Sequence, residues 1–324
     1  MRVAQFVGSR LLRLVLVLLA VSLITFTLLQ LAPGNFADIQ RLTSGATGIG
    51  TAGQDAVAVE LDARYGEGTP VWMQYLLFMK GVLTWDMGPS YQYPSLTVQE
   101  IIAKAFPISF ALAVLAVAIA LLIAIPVGTL AALRRNSVWD HTVMFIVTLG
   151  FSVPNYLVAV FLVLVFSVFF KILPSGGWTG PENAVLPVIA LAIGPAAVLA
   201  RYVRSSVVET LGEEYVLTAR AKGGPERIVI LRHVLRNSLI PLVTVVGPLL
   251  AALMTGTVFV EQIFGIPGLG QYFAGAAANR DMPLLMASAL FFALILVLAN
   301  IAVDLAYGVL DPRSKLAVEA RRAR

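Results

Sequence analysis

A strongly basic segment, ARAKGGPERIVILRHVLRNSLIP at residues 219–241, interrupts an otherwise apolar chain. It carries five Arg or Lys residues, and a Gly-Gly-Pro sequence at 223–225 divides it. Guanidinium and ammonium groups pair with carboxylates and phosphates and remain charged at neutral pH. The chemistry that this segment offers is therefore electrostatic contact with another surface, rather than bond cleavage.

The apolar stretches around this segment contain almost no charge, and their polar residues are mainly amides and hydroxyls. Charged groups inside a membrane usually mark proton or ion pathways. Their scarcity argues against a proton-driven carrier, an intramembrane protease and a metal enzyme. Asn155 beside Pro154 is expected either to line a path or to make a hydrogen bond between helices.

Two absences from the sequence narrow the function further. The chain has no cysteine, which excludes disulfides, thiol catalysis and cysteine-ligated metals. It also lacks the G-x-x-x-x-G-K-[ST] phosphate loop, so it is not itself an ATPase of that class. We expect no catalytic residue, no metal site and no cofactor.

The composition indicates the elements that hold these residues. Of 324 residues, 59% are hydrophobic and 13% are charged, whereas soluble domains carry about 25% charged residues. A membrane-spanning helix needs about 20 mainly apolar residues. The sequence therefore predicts an all-α polytopic membrane protein with six transmembrane helices, at 12–31, 106–130, 142–170, 184–202, 239–261 and 283–309.

Basic residues predict the orientation of these spans. With the N-terminus inside, 17 of the 23 Lys and Arg residues fall in cytoplasmic segments, as the positive-inside rule requires. Both termini are thus predicted to be cytoplasmic, and the positive charge needs no nucleic acid to explain it. The predicted partition is an uncleaved first span within 1–31, an external segment 32–104, a permease domain 105–310 and a basic tail 311–324.

The cytoplasmic loop 203–238 is predicted to form two helices with a sharp corner. The first helix runs from about 205 and ends at Gly223, because Gly commonly follows a helix end. Pro225 then opens the second helix at its first position, and Ile228, Leu231, Leu235 and Leu239 form its apolar stripe. The alternative is a basic loop that only sets the membrane topology. Such a loop would not need the succession of helix, Gly-Gly-Pro turn and helix.

Two further features lie in the predicted external segments. The stretch TPVWMQYLLFMKGVLTWDMG at 69–88 predicts a short helix at the membrane surface or packed on the rim of the spans. The loop EQIFGIPGLGQYF at 261–273 is expected to fold back into the outer mouth. Its candidate gate residues are Glu261, Phe264 and Gly268, alongside Pro154 and Asn155.

This two-helix loop, which we call the hairpin, resembles the Glu-Ala-Ala loop in permease subunits of bacterial ABC importers. Aligned on Gly223, only Ala219, Gly223 and Leu235 match the general form of that motif. The dipeptide/oligopeptide branch is more similar, with YVLTARAKG at 215–223 and HVLRNSLIP at 233–241. Further pieces agree in order along nearly the whole chain, including LAPGN, FPISFALA, EQIFGIPGLG, RDMP and YGVLDPR, although the branch usually has PGD where LAPGN stands.

This resemblance implies a type I importer permease in the bacterial inner membrane. Such a chain forms half of a path with a second homologous permease, as a heterodimer. Two cytoplasmic ATPases power the pair, and an external binding protein delivers a di- or oligopeptide. The coupling residues that it implies lie in the hairpin: Tyr215, Thr218, Ala219, Arg220, Ala221, Lys222, Gly223, Arg227, His233 and Arg236.

Three alternatives remain at this point. Similar permeases import nickel, opines or oligosaccharides, and the chain alone does not identify the solute. A secondary carrier or channel would need an ion or proton site within the spans. A structural membrane protein would need no path at all, which the many span prolines make less attractive.

Overall fold

The computed structural model describes residues 2–31, 69–239 and 241–310. These ranges are helical apart from turns and one isolated bridge between Pro89 and Thr97. The sequence-based expectations for 32–68 and 311–324 lie outside the described residues. The helices are α1 (Arg2–Leu31), α2 (Val71–Thr84), α3 (Val98–Leu133), α4 (Val138–Ser152), α5 (Asn155–Leu162), α6 (Glu182–Leu211), α7 (Glu214–Ala221), α8 (Glu226–Ile228), α9 (Leu242–Gly256), α10 (Val258–Phe264), α11 (Leu269–Asn279) and α12 (Met282–Leu310).

Four of these helices are individually long and apolar enough to cross a membrane, and two bent pairs have the same property when each pair is taken as one span. Counting each bent pair once gives the six predicted spans. The single helices provide Leu12–Leu31, Val98–Leu133, Glu182–Leu211 and Met282–Ala302, and the bent pairs are Val138–Ser152 with Asn155–Phe169 and Thr244–Gly256 with Val258–Phe264.

The predicted span 142–170 is broken rather than continuous. The chain bends by 97° between its two halves, and the second half continues from α5 into a π-helical stretch, Val163–Phe169. Pro154 explains the break, because proline disfavours the helical conformation of the preceding residue and lacks an N–H. Val153 is accordingly extended, with φ −86° and ψ 122°. By contrast, Pro187 and Pro195 lie inside the uninterrupted helix α6.

One compact unit comprises, of the described residues, 2–31, 69–110 and 265–297. Its core is apolar and includes Ile101, Ile102, Leu269 and Leu284. The short helix predicted near 69–88 is present as α2, and it packs on α1 through Tyr75, whose hydroxyl lies 2.8 Å from Ser22 Oγ. The sequence predicts an apolar stripe at Trp72, Tyr75, Leu76, Met79 and Leu83. Only Tyr75 and Met79 of that stripe are half-buried, whereas its other members are exposed and the buried residues of α2 are Phe78 and Gly81.

In the same unit, the carboxylate of Asp281 holds the segment that precedes α3. It accepts hydrogen bonds from the Ser90 hydroxyl, from Gln92 N at 3.0 Å and from Leu284 N at 3.2 Å. Burial raises the pKa of Asp281 above its ordinary value, although these hydrogen bonds act in the opposite direction. Asp281 thereby caps α12 and ties the 90–92 turn to it.

The other compact unit comprises, of the described residues, 111–239, 241–264 and 298–310. Its centre is α6, which contacts α4, α5, α9 and α10. Small residues let α3 approach α6 closely: a Cβ built on Gly128 would lie 2.6 Å from the Ala200 carbonyl oxygen. Toward its C-terminal end, α6 leads directly into the basic hairpin.

Candidate functional site

The hairpin follows α6 after a two-residue turn, which the sequence did not predict. The expectation of one helix from 205 to Gly223 is wrong, because α6 ends at Leu211 and α7 begins at Glu214. Gly212 caps α6, its N–H donating to Glu209 O at 3.0 Å, and Glu213 is extended at φ −73° and ψ 143°. Glycine commonly ends helices. The turn at Gly212 and Glu213 therefore separates α7 from α6.

The corner between the two hairpin helices depends on its glycines. Gly223 has φ +76°, a conformation that other residues adopt only under strain, and its N–H donates to Arg220 O at 2.9 Å. Gly224 sits tightly, since a Cβ there would lie 3.3 Å from Ala219 O. Pro225 is the N-cap residue rather than the first helical residue, and α8 begins at Glu226.

The second helix of the hairpin presents a different apolar face from the predicted one. After α8 it becomes a π-helix over Val229–Leu235, followed by a last helical turn, Arg236–Ser238. Val229 and Val234 are buried, whereas Ile228 and Leu231 are 51% and 55% exposed. The wider π-helical turn places residues five apart on one face, which explains why a stripe assigned at α-helical spacing is wrong.

An ion pair joins the two hairpin helices. Arg220 donates to both carboxylate oxygens of Glu226, with distances of 2.6 Å from Nη2 to Oε1 and 3.2 Å from Nε to Oε2. The hydrogen bonds from Arg220 lower the pKa of Glu226, and they raise the pKa of the guanidinium. Arg220, expected to pair with a partner protein, therefore has a carboxylate partner inside the hairpin.

The exposed surface of the hairpin, which we call the hairpin face, carries both apolar and basic side chains. Tyr215 is 40% exposed and Leu217 is 54% exposed in α7, and Ile228 and Leu231 are the exposed apolar residues of the second helix. The predicted coupling residues Thr218, Ala221, Lys222, Gly223, Arg227 and Arg236 are also exposed, and Ala219, Arg220 and His233 are half-buried.

The hairpin is anchored to the spans at its base. Val216 is fully buried, and Ser206 in α6 donates its hydroxyl to Ser238 O at 2.8 Å. Close by in α6, Arg204 donates to both oxygens of Asp140 in α4, at 2.6 and 2.5 Å. The same helix thus binds the end of the hairpin and the start of the broken span.

The Asp140–Arg204 pair was not predicted from the sequence, although half of it carries a sequence signal. Ser137 is the N-cap of α4, and its side chain accepts from Asp140 N at 3.2 Å. Asp140 Oδ2 in return accepts from Asn136 N at 3.0 Å. A Ser followed three residues later by an acidic residue predicts such a capping pair, but its partner on α6 is not visible from spacing.

The predicted gate residues fall at several places. Pro154 and Asn155 form the break between α4 and α5, and Glu261 and Phe264 are buried in α10 of the same unit. Gly268 is the buried N-cap residue of α11. Within the described ranges, no group of three or more His, Asp or Glu side chains is placed to hold a metal ion.

Comparisons with known proteins agree with these features. A family model described as "Binding-protein-dependent transport system inner membrane component" matches residues 124–316. The chain is 39% identical over 313 residues to the dipeptide transport system permease protein DppB of Bacillus subtilis, covering 97% of this chain and 98% of that protein. It is 35% identical over 311 residues to the oligopeptide transport system permease protein OppB of Escherichia coli K12, covering 95% and 98%.

A solved structure supports the fold. The inward-facing MetNI methionine ABC transporter matches with a TM-score of 0.56 at 21% identity, over 65% of this chain and 96% of that one. The fold is therefore that of type I importer permeases. The resemblance to dipeptide and oligopeptide permeases, first seen in the hairpin sequence, is confirmed along most of the chain. The chain belongs to the family of inner membrane components of binding-protein-dependent transport systems, which are membrane-spanning permeases rather than catalytic subunits.

Proposed function

We propose that this permease imports short peptides. The observation that carries the proposal is the similarity to proteins named as dipeptide and oligopeptide permeases, which extends over at least 95% of this chain. An alignment of that length includes nearly all of the predicted spans together with the hairpin, so the likeness is not confined to one motif.

The hairpin is proposed to transmit the motion of partner ATPases. Its two helices are held as one body by the Arg220–Glu226 pair and the buried Val229 and Val234. The exposed apolar side chains of the hairpin face favour a protein partner, because such side chains gain free energy when another surface covers them. The bond from Ser206 to Ser238 gives this body a direct connection to α6.

The proposed assembly contains this chain, a second homologous permease, two ATPases and an external binding protein. Both termini and the hairpin are proposed to face the cytoplasm, on the count of basic residues. Labelling of single cysteines by an impermeant thiol reagent tests this orientation, since the chain contains no cysteine of its own. Ser44→Cys should react from outside, and Ser205→Cys should not.

The function is tested by reconstituting the permease with the ATPase, second permease and binding protein encoded by neighbouring genes. Uptake of labelled dipeptides into the vesicles, and ATP hydrolysis stimulated by the loaded binding protein, are expected. Uptake of nickel, an opine or an oligosaccharide without uptake of any peptide would overturn the peptide assignment. Uptake without partner ATPases, driven by an ion gradient, would overturn the importer mechanism.

A further inference from the structure

Two helix breaks meet in the unit that contains α6. One separates α4 from α5. The other separates α9 from α10 at Thr257, where the helix axis bends by 47°. The second residue after each break is aromatic: Tyr156 in α5 and Phe259 in α10. Their rings are 6.0 Å apart between centroids and are tilted by 51°. The two breaks therefore lie side by side, joined by this aromatic pair.

With α4 starting at the membrane surface, its length places the first break within the thickness of the membrane. Helix α4 begins just after Arg134 and Arg135, and its 15 residues span about 22 Å at 1.5 Å per residue. The hydrocarbon core is about 30 Å thick. A helix that starts at the membrane surface and ends after about 22 Å ends inside that core.

The break is also exposed on the surface of this chain. Residues 151–154 are all exposed. Pro154 has no N–H, so the carbonyl of Gly150 lacks its usual donor four residues later. Non-helical backbone at membrane depth occurs only where protein buries it or where it lines a water-filled cavity, because lipid cannot satisfy its polar groups. This surface is consequently a poor one to place against lipid.

The side chains at the breaks are suited to an amphipathic, uncharged contact. Tyr156 is 42% exposed and Phe259 is 64% exposed. Ser152, which precedes the first break, is also exposed, and its hydroxyl donates to Thr148 O at 2.9 Å and keeps its acceptor capacity. Aromatic rings cover apolar side chains, while hydroxyl and carbonyl oxygens accept the amide N–H groups of a peptide.

From this arrangement we propose that Tyr156 and Phe259 form a contact site for the transported solute at the point where the two spans break. The site takes an uncharged or apolar side chain of a short peptide together with its backbone amides. The proposal rests on the proposed function, since it adds the place and the chemistry of contact to peptide import. Broken helices line solute sites in several transporter classes for the same physical reason.

Cysteine labelling tests whether the breaks face water. Tyr156→Cys and Phe259→Cys are introduced singly into the complete transporter and treated with a cationic methanethiosulfonate reagent. Leu122→Cys is the control, because Leu122 is 70% exposed in the continuous helix α3. The break cysteines should react at least about tenfold faster, since the thiolate that reacts does not form in hydrocarbon. Labelling no faster than Leu122→Cys would overturn the proposal and place lipid or the second permease on this surface.

Uptake tests whether the pair touches the solute. Tyr156→Ala should lower the uptake of Phe-Phe relative to Ala-Ala by about two- to tenfold, the range for losing one aromatic contact. Tyr156→Phe should keep the wild-type ratio, and Phe-Phe should slow the labelling of Phe259→Cys. If the wild type takes up both dipeptides but neither the ratio nor the labelling responds, the contact site is wrong. If the wild type takes up neither, the proposed function itself fails.

Discussion

Arg220 and Glu226 face each other across the Gly223–Gly224 corner, where the guanidinium donates to both carboxylate oxygens. The pair closes the hairpin on itself, so the most obvious charge for recognising an ATPase is already occupied. In the proposed coupling role, recognition then depends mainly on shape and apolar contact, with Lys222 and Arg227 as exposed basic groups.

The first prediction concerns this pair. Arg220→Gln and Glu226→Gln should each lower substrate-stimulated ATP hydrolysis slightly and to a similar extent, because exposed ion pairs contribute little. The double variant Arg220→Gln/Glu226→Gln should be no worse than either single variant, since both remove the same interaction. A much larger loss for Arg220→Gln alone would show that Arg220 contacts the ATPase instead.

The pH dependence of the pair follows from the same geometry. The pKa of Glu226 is lowered in the folded state, so the pair stabilises the hairpin above the ordinary carboxyl value and is lost only as pH falls through the lowered value. The ratio of substrate-stimulated ATP hydrolysis in the wild type to that in Glu226→Gln should therefore be the same at pH 7.5 and at pH 5.5. A difference that disappears at pH 5.5 would contradict this assignment.

The second prediction concerns Gly223. A residue with a side chain at φ +76° is strained by about 1–2 kcal/mol, so Gly223→Ala should lower the thermal midpoint of the purified complex and weaken coupling. Gly223→Asn should be milder, because Asn enters this conformation more readily. Gly194→Ala is the matched control, since its added Cβ meets nothing within 4 Å inside α6. Equal effects at the two glycines would count against a strained corner.

The third prediction concerns Asp281. Burial raises the pKa of this carboxyl, so folding favours its protonated form. The stabilisation that protonation brings is complete below the ordinary carboxyl pKa and is lost as pH rises through the raised value. The thermal midpoint of the wild type should therefore gain, relative to Asp281→Asn, as the pH is lowered from 7.5 toward the ordinary carboxyl pKa. A constant difference between the two proteins over this whole range would refute the assignment.

The sequence predicted the membrane spans and the hairpin better than the breaks and turns between helices. Six spans and the hairpin follow from apolar stretches and glycine signals, which are local properties of the chain. The break at Gly212 was missed because an isolated glycine is tolerated inside many helices. The stripe of the second hairpin helix was wrong because a π-helical turn is not encoded in apolar spacing at 3.6 residues.

Contacts between distant residues were the least predictable. Asp140 and Arg204 are 64 positions apart, and nothing in the sequence distinguishes this pair from other acidic and basic residues that could meet. Tyr156 and Phe259 meet where both spans break, and the sequence contains a proline at the first of these breaks only, at Pro154. Helix α9 carries Pro248 without interruption and ends later, near Thr257.

The central claim is that the hairpin carries the motion of the ATPases, and Ala219→Trp tests it most directly. Ala219 is half-buried on the same helix as the exposed Tyr215, so a large side chain there should obstruct a seated partner at a cost of about 1–3 kcal/mol. The measurement is co-purification of the ATPase together with substrate-stimulated ATP hydrolysis in reconstituted vesicles. Arg135→Trp, exposed outside the hairpin, serves as the control.

The account predicts that Ala219→Trp inserts into the membrane normally, loses most of the co-purifying ATPase and loses stimulated hydrolysis, while Arg135→Trp retains both. The thermal midpoint of the permease, measured without the ATPase, should stay close to that of the wild type, which separates lost docking from a misfolded hairpin. Retention of both the ATPase and stimulated hydrolysis by Ala219→Trp would contradict the account.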